Sequence, residues 1–226
     1  MQNEMKNTSG GESQIRKIAL TGGPGSGRRE ITMRMAAQFE EEVIIVQDTV
    51  RDAKEERGEE WQENLDEDYE LEMMKRQLEY EMAARKDAEE TEKPTIILCE
   101  RGLPDLATQS KDKGESFYQK FGLKKEEALG LYDEVIHLET MAESKPELYN
   151  EKRKENRSMA TPEKAKEIDQ NLKNAWEGHE NCTTIKATDS LDEKAAIAQS
   201  KIETCLSEIN QEANRETTEG RTPRQY

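Results

Sequence analysis

Residues 19–32 read ALTGGPGSGRREIT. Gly22 and Gly27 stand at the spacing of a phosphate-binding loop, G-x-x-x-x-G-K-[ST], but Arg28 takes the lysine position and Arg29 the hydroxyl position. A backbone made of Gly22, Gly23, Gly25, Ser26 and Gly27 around one proline can curl until its N–H groups point inward. A helix beginning at Arg28 adds the positive end of its dipole, so loop and helix together favour an anion. Arg28 can reach a phosphate as a planar fork rather than a point charge. Arg29 cannot ligate Mg²⁺ as a hydroxyl does.

Further polar groups follow other apolar runs. In VQDTVRDA, Asp48 and Arg51 are three residues apart and would share one face of a helical turn. There Asp48 could accept a proton from a substrate hydroxyl and Arg51 could hold an anion, or the two could form an ordinary exposed ion pair. In CERGLPD, Glu100 stands at a strand end, where an acid can hold Mg²⁺ directly or through water, and Arg101 would face phosphate or substrate. The bland alternative is that Glu100 caps a turn; Asp105 is a weaker candidate. Lys152, Arg153, Lys154 and Arg157 cluster in an otherwise acidic chain, either as a lid closing over phosphates or as a solvated helix face.

These residues can converge only if strands place them. Ile15–Leu20, Val43–Val46, Thr95–Cys99, Val135–Leu138 and Thr183–Ala187 are short apolar runs of the kind buried on both faces of a parallel sheet. Between them lie helical patterns. Ile31, Met35 and Phe39 recur at spacing four. Leu71, Met74, Leu78 and Met82 mark one long helix over 64–90 as a core stripe. Pro162–Trp176 follows Thr161 as N-cap, and Asp192–Ile209 closes the chain. The alternation implies an α/β fold of three layers with a parallel sheet, and ligands at the strand carboxyl ends. Residues 1–14 read as a flexible arm, 15–210 as one domain and 211–226 as a disordered tail.

The formal net charge of −16 argues against a nucleic-acid duplex or an anionic membrane as main partner. Residues 40–72 alone carry fifteen acids against three bases. That stretch reads first as a solvated helical face, with a protein-docking surface as the alternative. No apolar run has the length of a membrane span, and the first residues lack an apolar signal core, so a cytoplasmic protein is expected. Cys99, Cys182 and Cys205 have no metal spacing and fit reduced thiols, with Cys99 and Cys182 in the core.

In this order, IALTGGPGSGRRE, IILCERGLPD, YDEVIHLET and NRSMATPEKAKEIDQNLKNAWEGHE resemble the AAA-type P-loop NTPase family related to the nicotinamide riboside kinase domain and to the nucleotide-binding domain of the TRPL translocation defect protein. The resemblance covers about residues 15–205 and implies a nucleotide-kinase-like fold that binds a purine nucleotide, ATP or GTP, with Mg²⁺ held weakly or not at all and with water or a small molecule as phosphate acceptor. It puts Gly22, Gly25, Gly27 and Arg28 in the phosphate loop and Arg29 where a metal-ligating Thr belongs. It also puts Asp48 at a base position, Glu100 at the metal-holding acid, Arg101 and Arg157 on the phosphates, and His179 at a matching but structural position. The departures at 28, 29 and 100 all fall on the parts that handle metal and terminal phosphates. They imply weak turnover, or a catalytically inactive nucleotide sensor or interaction module.

Overall fold

Every apolar run expected as a strand forms one. The computed structural model describes residues 14–57, 67–91, 93–110, 114–155, 160–187 and 190–219. The chain runs β1 (Ile15–Thr21), α1 (Arg28–Gln38), β2 (Val43–Val46), α2 (Thr49–Arg57), α3 (Glu67–Thr91) and β3 (Thr95–Glu100). It continues through α4 (Leu103–Ala107), α5 (Glu115–Lys120), α6 (Lys125–Leu129), β4 (Glu134–Leu138), α7 (Met141–Ser144) and α8 (Pro146–Glu155). It ends with α9 (Pro162–Ala175), β5 (Cys182–Ile185) and α10 (Leu191–Glu219). The strands form one sheet in the order β2-β3-β1-β4-β5, and every pairing is parallel. Helices cover both faces, as such a sheet requires.

On one face Ile18, Leu20, Leu98, Ile136 and Leu138 pack against Ile31 and Met35 of α1 and Ile202 and Ile209 of α10. On the other, Ala19, Ile97, Cys99 and Val135 meet Ala84 and Ala88 of α3 with Tyr132 and Trp176. From β1 the chain first goes out to the β2 edge, returns through β3, then crosses to β4 on the far side of β1. The carboxyl end of β1 therefore lies at the reversal of strand order, where open α/β sheets bind ligands.

The structure corrects the expectation in four places. The long helix turns only part of the expected stripe inward: Leu71 and Met82 are exposed, Met74 is buried as expected, and the other buried positions are Tyr69, Glu70, Met73, Gln77, Glu81, Ala84 and Ala88. Small alanines let α3 close on the sheet, and its buried polar residues have partners. Glu81 accepts hydrogen bonds from Lys17 Nζ (2.7 Å), Gln77 Nε2 (2.8 Å) and Tyr132 Oη (2.6 Å). Cys182 is exposed at the start of the edge strand, whereas Cys99 is buried. The closing helix runs on to Glu219, nine residues into the segment read as a disordered tail; 220–226, and residues 1–13 of the arm expected over 1–14, lie outside the described residues. Of the acidic stretch, 58–66 also lies outside them, while Asp48 and Glu70 are buried, so the stretch is not one solvated face.

Candidate active site: a phosphate loop facing an arginine–carboxylate cluster

Register brings the candidate residues together. Leu20 of β1 pairs with Glu100 of β3, and Val46 of β2 pairs with Cys99, so three strand ends lie side by side. The loop from Gly22 to Gly27 leaves the first, Asp48 follows the second, and Glu100 and Arg101 end the third.

The loop is held from behind. Gly25 and Gly27 have φ of 75° and 87°, a left-handed backbone that glycine adopts without strain. A Cβ at Gly25 would stand 2.7 Å from the Tyr149 ring, so that position has no room for a side chain either. Gly23 N donates to Asp169 Oδ1 at 2.7 Å, Met141 N donates to Gly25 O at 3.3 Å, and Thr140 Oγ1 donates to Pro24 O. Lys194 Nζ, on α10, donates to Ser26 O at 3.2 Å and Glu139 O at 2.8 Å. Asp169 in turn pairs with His137 Nε2 at 3.3 Å. Strand β4 and helices α7–α10 thus fix the shape of the loop.

In front of the loop lies a buried ionic cluster. Arg28 donates to Gly22 O at 2.7 Å through Nη1 and to Asp48 Oδ2 at 2.6 Å through Nη2. Arg101 Nε donates to the same Asp48 oxygen at 2.9 Å. The other oxygen, Oδ1, accepts Val50 N at 3.1 Å and Arg51 N at 3.4 Å at the start of α2. Glu100 Oε2 accepts Arg51 Nη1 at 3.0 Å and Asp48 N at 3.3 Å. Burial pushes the Asp48 carboxyl up, but the charges of Arg101 and Arg28 and the Arg101 hydrogen bond outweigh it and hold the group below its ordinary value. Asp48 is therefore a carboxylate with four donors, not a free base. Burial and the charge of Arg101 lower Arg28, against the pull of Asp48. Arg101 has φ 91°, the one positive φ outside glycine among the described residues. Such a backbone costs on the order of 1–3 kcal/mol and marks a position fixed for its side chain rather than for stability.

Gly22, Gly23, Gly25, Ser26, Gly27, Arg28, Asp48, Glu100 and Arg101 meet as expected. Asp48 and Arg51 do not share a helix face: Asp48 caps α2, and Arg51 reaches Glu100. Arg29 is exposed on α1 and takes no place in the cluster. Arg157 lies outside the described residues. Asp105 is structural, accepting Thr21 Oγ1 (2.6 Å), Trp176 Nε1 (2.8 Å) and Gly102 N (3.0 Å). His179 is also structural: its Nε2 stands 2.8 Å from Tyr132 O, and its Nδ1 accepts Asn181 N at 3.1 Å.

The residues do not fit a Mg²⁺ ion of the kind that P-loop kinases hold between a loop hydroxyl and a strand-end acid. The hydroxyl position carries an exposed guanidinium. Both nearby carboxylates are already neutralised by arginines.

A family model described as an AAA domain matches residues 17–194. The chain belongs to the AAA domain family. No curated protein sequence matches this AAA domain protein. It is similar in structure to deoxyadenosine kinase from M. mycoides. One, with products dCMP and a flexible dCDP bound, is 13% identical over 83% of this chain and 99% of the kinase, at a TM-score of 0.50. Another, with bound dATP, is 14% identical over the same shares at 0.48. At such identity the likeness to the first shows the fold alone, an α/β fold like that of a nucleotide kinase.

Proposed function

We propose that this AAA domain protein binds a purine nucleotide, ATP or GTP, on the Gly22–Gly27 loop and is slow at transferring its phosphate. The resemblance to the nicotinamide riboside kinase and TRPL-protein branch supports the purine preference; a cytoplasmic setting is the reading of a chain whose sequence shows no membrane-length apolar run. The observation that carries the reading is the 2.6 Å ion pair between Arg28 and Asp48. It engages the loop's cation and the candidate base with each other. Loop amides at the start of α1 bind an anion whatever side chain stands at 28. Arg28 and Arg101 supply charge toward the phosphates, and Arg157 is the lid-side candidate. Asp48 can take a proton from an acceptor hydroxyl only after Arg28 has left it. A general base contributes about 10²–10⁴-fold in rate, so turnover is expected to be lower by about that factor.

The same ion pair favours a second reading, a nucleotide sensor or interaction module without turnover, with the acidic 40–72 region as a protein-facing surface. Turnover of ATP and GTP separates the two when the parent is assayed beside Arg28→Lys/Arg29→Thr. Slow parent turnover that rises in the variant supports a weakened enzyme, and no turnover in either supports the module. A parent working at about 1–100 s⁻¹, the ordinary kinase range, contradicts both.

A further inference from the structure

The misfit between this site and Mg²⁺ has a positive counterpart: we infer that the site takes the polyphosphate of its nucleotide free of metal, with the guanidinium groups of Arg28, Arg51 and Arg101 in place of the ion. The inference rests on the nucleotide-binding reading and specifies the form of the ligand.

Three observations carry it. The first is charge. Three guanidiniums face two carboxylates, Asp48 and Glu100, in one hydrogen-bonded cluster with contacts of 2.6–3.3 Å. Within that hydrogen-bonded set the guanidiniums exceed the carboxylates by one, although the charge of Asp105 also reaches Arg28 and Arg101, and the set lies beside loop amides and the N-terminus of an eleven-residue helix. The second is an orphaned donor. Arg28 Nε is buried and has no hydrogen-bond partner among the described residues, although both terminal nitrogens of the same group are engaged. A buried unmatched donor at the edge of an anion loop is what a phosphate oxygen would satisfy. The third is the donor set. A divalent ion would need several oxygen ligands, but Asp48 already accepts four hydrogen bonds and Glu100 accepts two at Oε2, so Glu100 Oε1 is the one carboxylate oxygen of the pair outside these bonds. Seating the ion would place two more positive charges among three buried or half-buried arginines.

These terms act in one direction. Free ATP carries more negative charge than its Mg²⁺ complex and matches the excess positive charge of the cluster. When phosphate arrives, Arg28 exchanges the Asp48 carboxylate for phosphate oxygens, and Arg101 remains to neutralise Asp48. Mg²⁺ then competes with the protein for the same phosphate oxygens instead of bridging them to it. By linkage, the metal must weaken binding by the extent to which it removes free nucleotide.

The test is a calorimetric titration of the full chain with ATP, and separately with inorganic tripolyphosphate, each in EDTA and in excess Mg²⁺. The expected result is binding of both in EDTA and a loss of about tenfold or more in affinity when Mg²⁺ is added. In Arg28→Lys/Arg29→Thr the sign should reverse, with Mg²⁺ tightening ATP. Affinity of the parent that is unchanged or tighter in Mg²⁺ overturns the inference while leaving nucleotide binding in place. Binding of ATP without tripolyphosphate overturns the assignment to loop and arginines. No binding of ATP in either condition removes the nucleotide reading itself, and this inference with it. The parent titrations decide these outcomes whether or not the double variant folds.

Discussion

Replacing Asp169 by alanine should loosen the phosphate loop without touching any residue that faces the phosphates. Asp169 is 6% exposed and joins two groups on different elements. Its Oδ1 accepts Gly23 N at 2.7 Å, and its Oδ2 pairs with His137 Nε2 at 3.3 Å. A hydrogen bond to a charged acceptor contributes about 1.5–3 kcal/mol, and a buried donor left without a partner loses a similar amount. In the alanine variant the Gly23 amide loses its carboxylate. His137, fully buried and already without a partner at Nδ1, also loses its partner at Nε2. The expected destabilisation is about 2–4 kcal/mol. For a chain of this length each kcal/mol lowers Tm by about 2–4 °C, so the drop should be about 4–16 °C. Asp169→Asn keeps an oxygen for Gly23 and should lose only about 1 kcal/mol. Thermal unfolding by circular dichroism reads the first effect. Hydrogen exchange at the Gly23 amide reads the second and should accelerate far more than exchange in β3. An alanine variant that melts within about 2 °C of the parent, with Gly23 exchange unchanged, would refute the view that this carboxylate holds the loop.

The face of α3 is tested by two methionines in the same urea series. Met74→Ala should cost about 2–4 kcal/mol, whereas Met82→Lys, at a position 63% exposed, should stay within about 0.5 kcal/mol of the parent. Asp48 is tested by pH. Its folded value lies below its ordinary value of 3.8, so its contribution is fully present above the unfolded pKa and is lost as pH falls through the lowered one. Asp48→Asn leaves two buried arginines without their carboxylate and should cost about 3–5 kcal/mol at neutral pH. The gap to the parent in urea unfolding should shrink only below about pH 4, and a gap independent of pH would contradict the ionised state of Asp48.

The sheet was legible because its strands are continuous apolar runs. VIIV and TIILC carry their fold class in composition alone, and the parallel order then places Asp48, Glu100 and the loop at neighbouring strand ends. The inward face of α3 was not legible. Leu71 and Met82 suit a hydrophobic stripe as well as Met73 and Ala84 do, and what decides between them is the partners waiting for Gln77 and Glu81 across the fold. Asp169 and His137 escaped for the same reason. An acid on an amphipathic helix and a histidine in VIHL acquire meaning only when α9 lies against β4. The one local signal was a polar residue inside an otherwise apolar strand. Arg28 was found in the loop, but its turn onto Asp48, twenty residues away, depends on a contact between strand ends that spacing does not encode.

A crystal structure of the full chain with ATP bound in EDTA tests the central claim most directly. The account predicts the β- and γ-phosphates on the backbone amides at the end of the Gly22–Gly27 loop, with Arg28 moved from Asp48 to a phosphate oxygen and Arg101 still paired with Asp48. ATP bound elsewhere, or phosphates in the loop while Arg28 keeps its pair with Asp48, would contradict it.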